Sequence, residues 1–156
     1  MAKFTGNSTV KINTNISSEV YGGGNIAKTI GNPTINIAQG THTGTIYGGG
    51  NQGTVTGTPT VNISGGTNTN VYGGGNQATV TDSIVNVTGG TNTQVFGGGN
   101  NANVGTTTVT VAGGTTTTLF GGGNQAQVTT TTVNLNSGTV TTLYGGGNQA
   151  DRKSVV

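Results

Sequence analysis

An aromatic residue followed by Gly-Gly-Gly-Asn begins at Tyr21, Tyr47, Tyr72, Phe96, Phe120 and Tyr144, with successive spacings of 26, 25, 24, 24 and 24 residues. A period of this size restricts the chain to architectures in which one short unit is copied along an axis and packs mainly on its neighbours. The fullest unit, Tyr72 to Val95, reads YGGGNQATVTDSIVNVTGGTNTQV, and the others keep its order of features.

Each unit holds three short stretches with strand character, separated by Gly, Asn, Asp or Pro turn signals. The first is Ala-x-Val, as in Ala78 to Val80; the second is an aliphatic pair around a polar residue, as in Val85-Asn86-Val87; the third is Thr-x-Thr-x-aliphatic-aromatic, as in Thr91 to Phe96. Helices are excluded, since Gly, Thr, Val and Asn rank poorly for helix and no 3.6-residue apolar stripe is present. A propeller blade needs about 40–45 residues and four strands, so a 24-residue unit is too short. The expected fold is all-β: a β-solenoid, or parallel β-helix, of about six coils of 24–26 residues, three strands per coil, stacked about 4.8 Å apart.

Composition agrees with a narrow coil. Thr, Gly and Asn supply 34, 32 and 20 of the 156 residues, and hydrophobic residues make up 29%. Typical globular domains are roughly 45–50% apolar and about 25% charged. With 5% charged residues, two prolines and a net charge of +2, the chain does not match charge-rich disorder either. A stacked coil needs only five or six inward side chains and gains the rest of its stability from backbone ladders. Ala78, Val80, Val85, Val87 and Val71 are assigned to the interior with their equivalents. The GGG corner is expected to supply positive φ angles. Asn25, Asn51, Asn76, Asn100, Asn124 and Asn148 follow that corner each time and are expected to stack as a hydrogen-bonded structural ladder.

Two surface rows are candidate contact faces. Tyr21, Tyr47, Tyr72, Phe96, Phe120 and Tyr144 form either an exposed stripe or a buried aromatic ladder. The pairs Thr67/Thr69, Thr91/Thr93, Thr115/Thr117 and Thr139/Thr141, with Thr41/Thr43 before them, form a Thr-x-Thr array that resembles the flat arrays of ice-binding solenoids. Parity with an interior Val71 predicts that Thr67 and Thr69 point inward and that Asn68, Asn70 and Tyr72 point out. An interior aromatic row would instead expose the threonines.

Extra residues fall near Ile30 to Pro33, Val55 to Pro59 and His42 to Thr45, where corners and strand ends tolerate them. Ala2 and Ala150 share the phase of Ala78, so residues 2–151 read as a single array of whole coils, followed by a charged tail at 152–156. Lys3, Lys11, Glu19 and Lys28 lie in the first coils and Asp151, Arg152 and Lys153 follow the last, whereas Asp82 is the only charged residue between Thr29 and Ala150. Charged edges discourage strand pairing, while phase-matched open ends favour head-to-tail stacking of the chain on itself.

The inventory for chemistry is small. His42 is the only histidine and is expected on the solvent side of a strand; Glu19, Asp82 and Asp151 lie in different coils, so no paired-carboxylate site is expected. GGGN lacks the Lys-Ser/Thr and helix of a P-loop. The repeats lack the recurrent Asp of calcium-binding nonapeptides, and cysteine is absent, so neither metal nor cofactor is expected. Five basic residues split between two ends form no nucleic-acid stripe. There is no apolar run long enough for a membrane span, and Met1 to Gly6 shows no signal-peptide stretch, which points to another export route or to a piece of something larger. Sequons at Asn7, Asn15, Asn62 and Asn86 follow from the Asn- and Thr-rich composition.

The recurring YGGGN, with TVNISGGT and IVNVTGGT between its copies, resembles the Gly/Thr-rich repeats of large bacterial cell-surface proteins, including adhesin-like β-solenoids, over about Thr5 to Ala150. That resemblance implies an extracellular structural or adhesive role. The expected function is a non-enzymatic fibre or surface stalk that assembles with itself; the alternative is an ice-binding or carbohydrate-binding rod using its Thr-x-Thr or aromatic face.

Overall fold

The computed structural model describes residues 2–149, and the expected array boundary at residue 151, with the tail at 152–156, lies outside them. The chain winds through stacked coils. The first contains β1 (Lys3–Thr5), β2 (Thr9–Ile12) and β3 (Val20–Tyr21); the second β4 (Lys28–Ile30), β5 (Thr34–Ile37) and β6 (Thr41–Tyr47); the third β7 (Val55–Thr56), β8 (Thr60–Ile63) and β9 (Thr67–Tyr72). The fourth contains β10 (Val80–Val87) and β11 (Thr91–Phe96), while β12 (Val104–Phe120) and β13 (Val128–Tyr144) each run through a coil without interruption. Every pairing is parallel and joins one coil to the next, giving a β-solenoid of about six turns.

Register is nearly uniform. Val61 pairs with Ile35 and Val85, and Val109 with Val85 and Val133, so like residues stack in columns along the axis. The extra residue of the second coil is absorbed between His42, opposite Asn68, and Thr45, opposite Asn70. The first strand starts later than the sequence suggests: Ala78 and Thr79 precede β10, which opens at Val80.

Interior packing is built from three columns. The largest carries Ile35, Ile37, Val61, Ile63, Val71, Val85, Val87, Val95, Val109, Val111 and Leu119, with Ile12 and Ile46, all at most 4% exposed. A second holds Val55, Val80 and Val104, and a third Tyr47, Tyr72, Phe96 and Phe120. Each fully buried aliphatic side chain contributes roughly 1.5–3 kcal/mol of transfer free energy, so a thin core suffices when every coil repeats it. Ala78, Val80, Val85, Val87 and Val71 are all buried, as their pattern suggests.

The GGG corner has a different cause from the expected one. None of its glycines is in the left-handed region; positive φ occurs instead at Gly40 (106°), Gly66 and Gly90 (80° each), in the turn before the third strand, at Gly114 (71°) and Gly138 (88°), which hold the same place inside β12 and β13, and at Gly6 and Gly31. What the GGG corner requires is absence of volume. A Cβ on Gly98 would lie 2.8 Å from both the Gly123 amide nitrogen and Val128 Cγ2, and one on Gly97 would run into the Gly121 carbonyl. Successive corners therefore nest backbone on backbone, with the valine of the next coil filling the hollow.

Candidate functional site: stacked columns and the open end

Val71 and Tyr72 are adjacent in sequence and both buried, at 0% and 7% exposure. The strand ends at a corner, so Val71 enters the aliphatic column and Tyr72 the aromatic one. Rings from Tyr21 through Tyr47, Tyr72, Phe96 and Phe120 to Tyr144 stack with centroids 4.5–5.1 Å apart and planes within 14°. Such pairs contribute about 0.5–1.5 kcal/mol beyond area burial. Burial, and then the neighbouring Tyr47, push the Tyr72 phenol up to about 12. Burial also raises Tyr47 and Tyr21, the latter further through its hydrogen bond to Glu19 Oε2 at 2.7 Å. The aromatic row is thus a ladder buried at Tyr47, Tyr72, Phe96 and Phe120 and partly buried at Tyr21; Tyr144, which stacks on Phe120 alone among the described residues, is half exposed.

The parity expected for the third strand is reversed at its start. Thr67, Thr91, Thr93, Thr115, Thr117, Thr139 and Thr141 are exposed and Thr69 is half-buried, while Asn68, Asn92 and Thr116 are at most 1% exposed. Pairing lapses between Asn92 and Gln94, and at the equivalent points of β9 and β12. The alternation changes phase across that lapse, so Thr93 and Val95 do not share a face. Asn70 is half-buried rather than fully outward.

His42 belongs to the same inner column and is 1% exposed, not on the solvent side. Its ring nitrogens both face oxygens: Nδ1 lies 2.7 Å from Asn68 Oδ1 and Nε2 3.0 Å from the Thr14 carbonyl. Asn68 Nδ2 in turn donates to Asn92 Oδ1 (2.8 Å), and Asn92 Nδ2 reaches Thr116 Oγ1 (3.4 Å). Among the described residues no buried side-chain polar atom lacks a partner, which is the condition for such a column to be tolerated.

Outside the corner, Asn51, Asn76, Asn100, Asn124 and Asn148 each donate through Nδ2 to Oδ1 of the preceding asparagine, ending at Asn25, at 2.9–3.0 Å. A second amide ladder, Asn86 to Asn62 to Asn36, lies on the second strand. Hydroxyls form another tie: Ser8, Ser83, Thr107 and Thr131 donate to the carbonyls of Gly22, Gly97, Gly121 and Gly145, each 14 residues on. That constant separation is a signal in the sequence, and it locks the start of the second strand to the glycine corner of its own coil.

Among the described residues β13 is paired on one side only. Leu135, Leu143 and Tyr144 are 45–50% exposed, although their column partners Val111, Leu119 and Phe120 are at most 4% exposed. Beside them a cavity of about 440 Å³ is lined by Gly122, Gly123, Ala126, Val128, Gly146 and Gly147, among others. At the first coil Phe4 is 46% exposed.

Titratable groups are not gathered. Asp82 Oδ1 accepts the Thr106 amide (2.9 Å), and among the described residues no group of three or more His, Cys, Asp or Glu side chains is placed to hold a metal ion. Among the described residues no helix is long and apolar enough to cross a membrane. In comparisons with protein-family models, curated proteins and solved structures, no family, relative or fold matches this chain.

Proposed function

We propose that the chain is a non-enzymatic structural repeat protein, an extracellular fibre or surface stalk whose rods lengthen by head-to-tail stacking of coils. The observation that carries this reading is the contrast between Leu119, fully buried in its column, and Leu143, 45% exposed one coil later with the same neighbours on one side only. Among the described residues β13 pairs with β12 alone, and its apolar columns lack on the other side the neighbour that the columns of β10 and β12 have. Sedimentation velocity and electron microscopy over a wide concentration range test it: rods that lengthen with concentration support the reading, and monomers throughout sink it.

The outward threonines favour a second reading, a binding rod. None of the Thr67, Thr91, Thr93, Thr115 or Thr117 hydroxyls hydrogen-bonds to protein among the described residues, whereas the asparagine amides around them are committed to their ladders. A two-column array of free hydroxyls and methyls, repeated about 4.8 Å between coils, suits an ordered water lattice or a carbohydrate. Thermal hysteresis of the parent and of Thr91→Lys with Thr93→Lys separates the readings: no effect on ice growth in the parent removes the ice version.

A further inference from the structure

We infer that the buried column of His42, Asn68, Asn92 and Thr116 is a proton-addressed relay, in which protonation of His42 sets the direction in which the hydrogen bonds of the column point. This goes beyond the rod-assembly reading and concerns a single chain.

Direction sets this column apart. In the corner ladder and in the ladder on the second strand, each asparagine donates towards the N-terminal coil, as Asn76 does to Asn51 and Asn86 to Asn62. The buried column runs the other way: Asn68 Nδ2 donates to Asn92 Oδ1 (2.8 Å), and Asn92 Nδ2 reaches Thr116 Oγ1 (3.4 Å). Neighbouring carbonyls fit that direction, since the same two Nδ2 atoms also donate to the Gly65 and Thr115 oxygens, each at 3.3 Å. The column also begins differently, with a histidine in place of an amide.

A carbonyl oxygen accepts and does not donate. With Asn68 turned as it is, His42 faces acceptors on both sides, Asn68 Oδ1 at Nδ1 and the Thr14 carbonyl at Nε2. The imidazolium, with a hydrogen on each nitrogen, satisfies both. The neutral ring, keeping its Nε2 hydrogen on the Thr14 carbonyl, presents a lone pair at Nδ1 and requires a donor there. Asn68 supplies one by turning its amide over, which points Oδ1 towards Asn92. Asn92 turns in the same way, and the Thr116 hydroxyl, which donates as well as accepts, closes the reversed column. The proton lost from Nδ1 goes to water, and the reversed form gives up the two amide bonds to Gly65 and Thr115. Past Thr116 the next residue in register is Val140, packed against the aliphatic core, so the relay stops at the hydroxyl.

The groups around the ring are amides, carbonyls and an aliphatic side chain. Asn68 of β9, the first-coil segment through Thr14 and Ile16, and the turn at Gly66 pack against it, and none of these titrates. Tyr47 on the same strand and Tyr72 on β9 lie in the aromatic column; Glu19 accepts the Tyr21 hydroxyl, and Lys11 on β2 is exposed.

His42 is the only histidine, so nuclear magnetic resonance reads its ring without ambiguity. The parent chain is titrated over about pH 5 to 8. The Asn68 and Asn92 side-chain amide signals are expected to shift with the same midpoint as the His42 ring, and contacts from the Asn68 amide hydrogens to that ring to appear on the alkaline side alone. Thr116→Val, about 14 Å from His42 by three coil spacings, leaves the reversed column without its closing donor. The His42 midpoint is then expected to move up by about one pH unit, and Thr116→Ser to keep the parent value. Amide signals that stay fixed while His42 titrates overturn the relay, as does a ring that keeps one protonation state throughout. An unmoved midpoint in a folded Thr116→Val chain overturns it as well, and the parent titration decides where that variant does not fold.

Discussion

His42 Nδ1 lies 2.7 Å from Asn68 Oδ1 inside the solenoid, in a position that the coils on its C-terminal side fill with Asn68, Asn92 and Thr116. The histidine is therefore a member of a structural column, and its replacement is predicted to follow hydrogen-bonding capacity. His42→Leu removes the ring nitrogens that face the Asn68 oxygen and the Thr14 carbonyl, taking the imidazole N–H from a buried oxygen, and is expected to cost about 1–3 kcal/mol. His42→Asn, which continues the amide column, is expected to cost markedly less. Urea denaturation of both variants checks the difference.

Glycine substitutions are predicted to divide by position along the rod. Gly98→Ala forces a methyl group onto the Gly123 nitrogen and Val128, an overpacking cost of about 1–3 kcal/mol or more. Gly146→Ala, whose added Cβ meets none of the described residues within 4 Å, is expected to stay within about 0.5 kcal/mol in dilute solution. Equal losses at both sites would contradict the nesting of successive corners.

Leu119 and Leu143 stand in adjacent rungs of one column and give a matched truncation pair. Leu119→Ala is expected to lose about 2–5 kcal/mol, and Leu143→Ala less than half of that. Amide hydrogen exchange supplies the dynamic counterpart: β13, paired on one side only among the described residues, is expected to exchange before β10 and β12, and its protection is expected to rise with protein concentration if rods stack end to end.

Alkaline pH is predicted to destabilise the rod through its stacked phenols. Burial raises Tyr72 from its ordinary value of 10.0 to about 12, so the unfolded chain ionises first. The stability contributed by the neutral phenol is fully present below pH 10, falls as the unfolded phenol ionises, and is lost by the time pH reaches the folded value. Thermal melts between pH 9 and 12 should decline, and Tyr72→Phe should shallow the decline; an identical pH profile in that variant would exclude Tyr72 as a source.

The repeat made the solenoid legible because period, strand content and corner glycines all point to one answer, and Val80, Val85 and Val87 could be placed inside from alternation alone. Alternation failed where pairing lapses, at Thr93, because nothing distinguishes that threonine from an ordinary strand residue. One change of phase moved Asn92 and His42 inward and turned the threonine array outward. The glycine corner failed for another reason: a glycine marks either an angle or a lack of space, and sequence does not say which. Gly90 needs the angle and Gly98 the space. The hydroxyl ties from Ser83 and Thr107 to the corner carbonyls went unread, although their 14-residue offset repeats.

Uniform register also has a genetic consequence. Because each rung presents nearly the same donors, acceptors and apolar columns to the next, gain or loss of one complete repeat through unequal recombination leaves no mismatched junction. A partial repeat would put Val85 opposite the wrong column and expose it. Rod length is thus a trait that can vary in whole steps between alleles while every allele still folds.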